Sequence, residues 1–155
     1  MEKNDSLPEI SDELITDLVN FGPDAESWIF NFGNFDLAVG YTLIFWPRFI
    51  LIDGFVLRHG STRKNLLEFL EVTNGDLIAT QAVMNHIHIS DLHFKDINDA
   101  QARYLGRVLR EIYQAKLRAD FPDRTFVVSF TDEPGPGLDY ELTFWQADGA
   151  ERADS

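Results

Sequence analysis

Asp36-Leu37-Ala38-Val39-Gly40-Tyr41-Thr42-Leu43-Ile44-Phe45-Trp46-Pro47-Arg48-Phe49-Ile50-Leu51-Ile52-Asp53-Gly54-Phe55-Val56-Leu57-Arg58 is the stretch on which the fold turns. Leu37, Val39, Tyr41, Leu43 and Phe45 alternate onto one face, and Ala38, Gly40, Thr42, Ile44 and Trp46 take the other, the period-2 pattern of a strand. Pro47-Arg48 interrupts that pattern, and two further apolar runs flank Asp53-Gly54. Asp-Gly between apolar runs signals a tight hairpin. A competing reading turns the chain at Pro47-Arg48 and places a bulge at Gly54. Either way a first β pair is expected here.

Outward from this stretch the period changes. Ser11 is a suitable N-cap for a helix to Phe21, with Asp12 and Glu13 in its first turn, Ile10 and Ile15 at staple spacing, and Gly22-Pro23 as the stop. Residues 24–35 carry Trp28, Phe30, Phe32 and Phe35, too aromatic for a free loop, and read as one short helical turn. These aromatics are core candidates, or else an exposed apolar patch that makes an interface. A short helix is expected from about Thr62 to Val72, ended by Asn74-Gly75, and Asp76 caps another running to about Leu92. The longest helix spans Asp99 to Asp120 before Phe121-Pro122, with Leu105, Val108, Leu109, Ile112 and Ala115 on one face. Thr125–Phe130 and Tyr140–Gln146 read as a second β pair, joined through a rigid acidic connection, Asp132-Glu133-Pro134-Gly135-Pro136-Gly137.

This order predicts an α+β domain over 1–146: an antiparallel sheet of about four strands, two β pairs, packed on one face by a long helix and two to three shorter ones. Residues 147–155 read as a disordered acidic tail.

The 155 residues hold 13 basic against 26 acidic side chains, a net charge of −13, with no cysteine. Residues 1–26 contribute eight acids against Lys3, and residues 131–155 seven acids against Arg152, so the span 27–130 is neutral. Acidity thus belongs to the two ends. Phosphate-bearing partners meet a repulsive field, which disfavours nucleic acid and anionic membranes, whereas cationic partners are attracted. No apolar run reaches the roughly 20 residues of a membrane span, and no basic and apolar leader is visible, so a cytoplasmic protein is expected. Without cysteine there is no disulfide framework and no thiolate site.

Three clusters are candidate sites. His86, His88, Asp91 and His93 supply imidazole and carboxylate, the ligands of a divalent metal in a hydrolase or lyase. On a strand His86 and His88 share a face; on a helix they diverge, and no complete metal signature is present. Alternatively Asn85 and His88 hydrogen-bond neighbouring segments, with Asp91 capping or pairing. Arg103, Arg107, Arg110, Gln114 and Arg118 form a stripe on the long helix, able to read an anion, to face solvent, or to dock one of the acidic ends. Ser61 or Thr62 caps a helix with Arg63 in its first turn, whose free N–H groups suit an anion, or this is an ordinary capped start. No nucleophile elbow, dinucleotide fingerprint or Walker loop occurs.

In charge and size alone the chain resembles bacterial immunity proteins and nucleic-acid-mimic inhibitors. The resemblance implies a binding protein for a basic protein partner, without a cofactor. Asp12, Glu13, Asp17, Asp132, Glu133 and Asp139 would steer association, and exposed aromatics would hold the complex.

Overall fold

The computed structural model describes residues 25–92, 97–136 and 139–148. The helix expected over Ser11–Phe21, with Asp12, Glu13 and Asp17, lies outside them, as do His93 and residues 149–155. The architecture is α+β. In order the elements are α1 (Ala25–Phe32), α2 (Phe35–Phe45), β1 (Phe49–Ile52), β2 (Phe55–Arg58), α3 (Arg63–Val72), α4 (Leu77–Met84), β3 (Ile87–His88), a 3-10 turn at Ser90–Leu92, α5 (Asp99–Asp120), β4 (Phe126–Phe130) and β5 (Glu141–Gln146).

The alternating run 37–45 is a helix, not a strand. A nine-residue apolar stretch satisfies period 2 and period 3.6 alike, so periodicity does not choose between them. What chooses is Asn34, whose side chain accepts the Leu37 N–H at 3.1 Å and caps α2. Asp36 then complements the dipole, Tyr41 and Phe45 meet one turn apart with centroids 5.9 Å apart, and Pro47 follows the end. The β pair survives in the second half of the segment. Asp53 and Gly54 take φ of 48° and 86°, the two positive values of a type I′ turn, and Ile52 pairs with Phe55, Ile50 with Leu57.

The expected four strands become five, divided into the β1-β2 hairpin and an antiparallel sheet of order β3-β5-β4. The second helix of the 62–92 region stops at Met84 because Asn85 caps it and turns inward, which frees Ile87 and His88 to pair with Leu142 and Glu141. Capping fixes the other helices close to expectation: Thr62 accepts from Asn65, Asp76 from Ile78 and Ala79, and Asn98 with Gln101 forms a capping box at the head of α5.

On α5 the buried stripe is Ala102, Gly106, Leu109, Tyr113 and Leu117, rotated from the expected face, so that Ala115 is exposed. It covers β4 and β5, whose Val128, Leu142 and Phe144 complete the main core with Ile87 and Ile89. Phe55, Leu57 and Leu66 form a second cluster between the hairpin and α3. The rotation brings Gly106 against Phe130: a Cβ there would sit 2.1 Å from the ring, which itself stacks on Tyr140. Gly-to-Ala in a helix interior ordinarily gains about 1 kcal/mol. Here Gly106→Ala is expected to reverse that sign and cost about 1–2 kcal/mol through overpacking, read as a lower urea midpoint.

The two sheets are joined by side-chain amides. The β1-β2 register directs the Val56 and Arg58 backbone groups away from β1, and β3 covers only the first residues of β5. Gln146 accepts the Val56 N–H at 2.9 Å and donates to Gly54 O at 3.2 Å. Asn85 accepts the Arg58 N–H at 3.0 Å and donates to Val56 O at 3.2 Å and Phe144 O at 3.1 Å. Gln81 accepts the Gln146 N–H at 3.1 Å. All three amides are buried, so these bonds stand where further ladder pairing would otherwise be required.

Candidate interaction surface and the charged clusters around it

The histidine-rich segment is organised by Asp139, which the connection before β5 brings alongside β3. His88 Nδ1 lies 3.1 Å from Asp139 Oδ2, and the Ser90 hydroxyl donates to Oδ1 at 2.7 Å. The serine is bonded to the carboxylate and not to an imidazole, so this trio lacks the order of a nucleophilic triad. His86 stands beside His88, ring centroids 4.9 Å apart, but its Nδ1 is bonded to Val83 O. Among the described residues no group of three or more His, Asp or Glu is placed to hold a metal ion. Asn85 and His88 do hydrogen-bond neighbouring segments, as one reading of the sequence expects.

Burial pushes the Asp139 carboxyl up, but the Ser90 hydroxyl, the Tyr140 N–H and His88 outweigh it and hold the group below the ordinary aspartate value. A carboxyl lowered on folding contributes stability that is fully present above its unfolded value, near pH 4, and lost as pH falls through the folded one. Asp139→Asn is therefore expected to lower the urea midpoint modestly at neutral pH, to match the parent at the acid end, and so to flatten the fall below about pH 4. An unaltered acid limb would show that Asp139 does not set it.

Two arginines of the stripe, Arg103 and Arg107, meet the acidic connection at Asp132. Arg107 Nε donates to both oxygens of Asp132, at 3.2 and 3.1 Å, and Arg103 Nε donates to Asp132 O at 3.1 Å. Arg110 pairs with Glu111 at 3.0 Å. Asp132 and Asp139 are thus engaged within the chain, whereas Glu133 is exposed. At the other anion candidate, Thr62 rather than Ser61 caps α3, and Arg63 pairs with Asp53 of the hairpin turn at 2.7 Å.

The aromatic region behaves differently. Neither α1 nor α2 contains a buried residue. Phe30 is 88% exposed, Phe35 81%, Leu43 64% and Trp46 60%, with Ile29, Phe32, Leu37 and Val39 also open to solvent. Among the described residues the end of α2 is what packs on the main core, through Ile44 and Phe45, and Lys116 Nζ sits 5.3 Å from the Trp46 ring centroid. Isolated apolar side chains on a surface are ordinary, but seven across two consecutive helices, with Trp46 just after the second, form a patch. Residues 25–47 hold Glu26 and Asp36 and no Lys, Arg or His. Among the described residues no helix is long and apolar enough to cross a membrane.

Beneath the C-terminal end of α2 lies a cleft of about 420 Å³, lined by Leu43, Ile44, Pro47, Arg48, Arg58, His59 and Tyr113. The patch was legible in the sequence as aromatic density. The cleft was not, because its walls come from α2, the following loop, the end of β2 and α5. Comparison of the chain with protein-family models, with curated proteins and with solved structures finds no match in any of the three.

Proposed function

We propose that this is a non-enzymatic cytoplasmic binding protein, of inhibitor or immunity type, whose α1–α2 face docks a basic protein partner. The observation that carries the reading is the exposed apolar surface of two consecutive helices that has no basic residue and follows, in sequence, 24 residues of net charge −6. Such a face gains affinity by burying its aromatics, and neighbouring carboxylates select a partner with a cationic rim. A second copy of this chain is a poor occupant, since association would bring two such acidic segments together. Anionic membranes are disfavoured on the same ground.

The test uses two amphipathic helical peptides with one leucine pattern, their polar faces all lysine or all glutamate, and neutral phosphatidylcholine vesicles as a third probe. Tryptophan fluorescence is expected to report saturable binding of the lysine peptide alone, weakening as salt rises. Asp12→Asn, Glu13→Gln and Asp17→Asn together are expected to slow that association and flatten its salt dependence. Equal binding of both peptides, preference for vesicles, or concentration-dependent dimerisation in sedimentation would overturn the proposal. For the alternative, a metal-dependent hydrolase or lyase at His86, His88, Asp91 and His93, a bound transition metal in the purified protein would be the deciding result.

A further inference from the structure

The cleft beneath α2 concentrates positive charge in a protein whose net charge is −13. Arg48, Arg58 and His59 line it, and no acidic residue does. The arginines and lysines at Arg63, Lys64, Arg103, Arg107, Arg110 and Lys116 each have a carboxylate within 4 Å, but neither Arg48 nor Arg58 has such a partner among the described residues. Arg58 is fixed by its backbone bond to Asn85 and by donation from Nη1 to His86 O at 2.6 Å, which leaves the rest of its guanidinium fork unspent. His59 is held next to Arg48 by the bond from its N–H to Arg48 O at 3.0 Å.

The fourth polar group comes from α5. Tyr113 is 1% exposed, its ring packed against Phe49 and Phe144, and it lines the cleft. A hydroxyl on a cleft wall is a donor available to a ligand. Burial pushes its ionisation up to about 12, against the opposing charge of Arg58, so it stays a donor at neutral pH. Leu43, Ile44 and Pro47 form the apolar wall. Few convergent polar groups on a mostly apolar concavity of this size is the usual constitution of a small-molecule site.

We propose that this cleft binds a small organic acid, its carboxylate or phosphate headgroup held by Arg48, Arg58 and the Tyr113 hydroxyl and its apolar body lying against Leu43, Ile44 and Pro47. Two guanidinium forks match the oxygens of either headgroup, and a neutral tyrosine donor adds a third point of attachment. The site adjoins the aromatic face, with Leu43 common to both, and needs no partner protein.

Calorimetric titration of the full chain with hexanoate, phenyl phosphate, their uncharged counterparts 1-hexanol and phenol, and inorganic phosphate tests it. At least one organic acid is expected to bind saturably with Kd at or below about 1 mM, and its uncharged counterpart about tenfold or more weakly. Which acid binds identifies the headgroup. Arg48→Gln and Arg58→Gln are each expected to weaken binding about tenfold, and Tyr113→Phe about threefold or more. Arg48 is exposed and makes no ion pair with a described residue, so its variant separates loss of binding from loss of folding, with an unchanged melting temperature as the control. Phe30→Ser is expected to leave acid binding intact, which distinguishes this site from the docking face. Absence of saturable binding by either acid, equal binding of the uncharged counterparts, an inorganic phosphate that binds as well as phenyl phosphate, or affinity unchanged in both arginine variants would overturn the proposal.

Discussion

Asn85→Ala is expected to destabilise the protein by about 3–5 kcal/mol, the largest loss from any single side chain that lines neither cleft nor surface. The side chain is 0% exposed and satisfies three backbone groups in two sheets: the Arg58 N–H, Val56 O and Phe144 O. Truncation leaves all three buried without partners, and each such group costs about 1–3 kcal/mol, relieved in part where water enters. Asn85→Asp is a sharper test, because it keeps the shape and the acceptor but loses the donor to both carbonyls and adds a charge in a buried site. It is expected to unfold at a urea midpoint no higher than the alanine variant at neutral pH and to recover stability as pH falls and the carboxyl protonates. A loss below about 1 kcal/mol for Asn85→Ala would mean that the hairpin and the three-stranded sheet do not depend on this bridge.

The position of Asn85 also shows where the sequence could and could not be read. Caps and breakers are local, so α3 and the end of α5 are legible nearly to the residue from Thr62 and the Phe121-Pro122 stop, and Asp53-Gly54 is the hairpin turn that its residue types suit. The sequence carries the helix of Leu77 past Met84 because the partners that turn Asn85 inward and end it are distant, Val56 lying 29 positions away and Phe144 59. The run 37–45 failed for a different reason: its own periodicity is ambiguous, and the deciding residue, Asn34, lies outside it. At the candidate sites, charge totals were legible and charge pairing was not. Asp132 lies 25 positions from Arg107 and Asp139 lies 51 from His88, so carboxylates that read as free steering charges are already engaged within the chain.

Phe30→Ser with Phe35→Ser is expected to abolish binding of the lysine-faced peptide, weakening it about a hundredfold, while leaving the urea midpoint unchanged within error. The two rings are 88% and 81% exposed and belong to helices with no buried residue, so folding gains almost nothing from them. Their removal costs stability only through propensity, within about 0.5 kcal/mol. A large exposed aromatic is different in a complex, where burying it contributes about 1.5–3 kcal/mol. Truncating a central aromatic of an interface commonly costs about 2 kcal/mol. Trp46 is a weaker choice for the same experiment, because its ring also holds Lys116, and a change there would perturb the anchoring of α2 as well as the face. Position within the face supplies the control. Val72, 73% exposed on α3, is apolar and lies outside the patch, so Val72→Ser is expected to leave peptide binding as it is. If the double phenylalanine variant binds the peptide as tightly as the parent, attraction to the acidic ends alone accounts for association and α1–α2 is not the docking surface. If instead the urea midpoint falls by more than about 1 M, the rings belong to the folded core and not to a docking face.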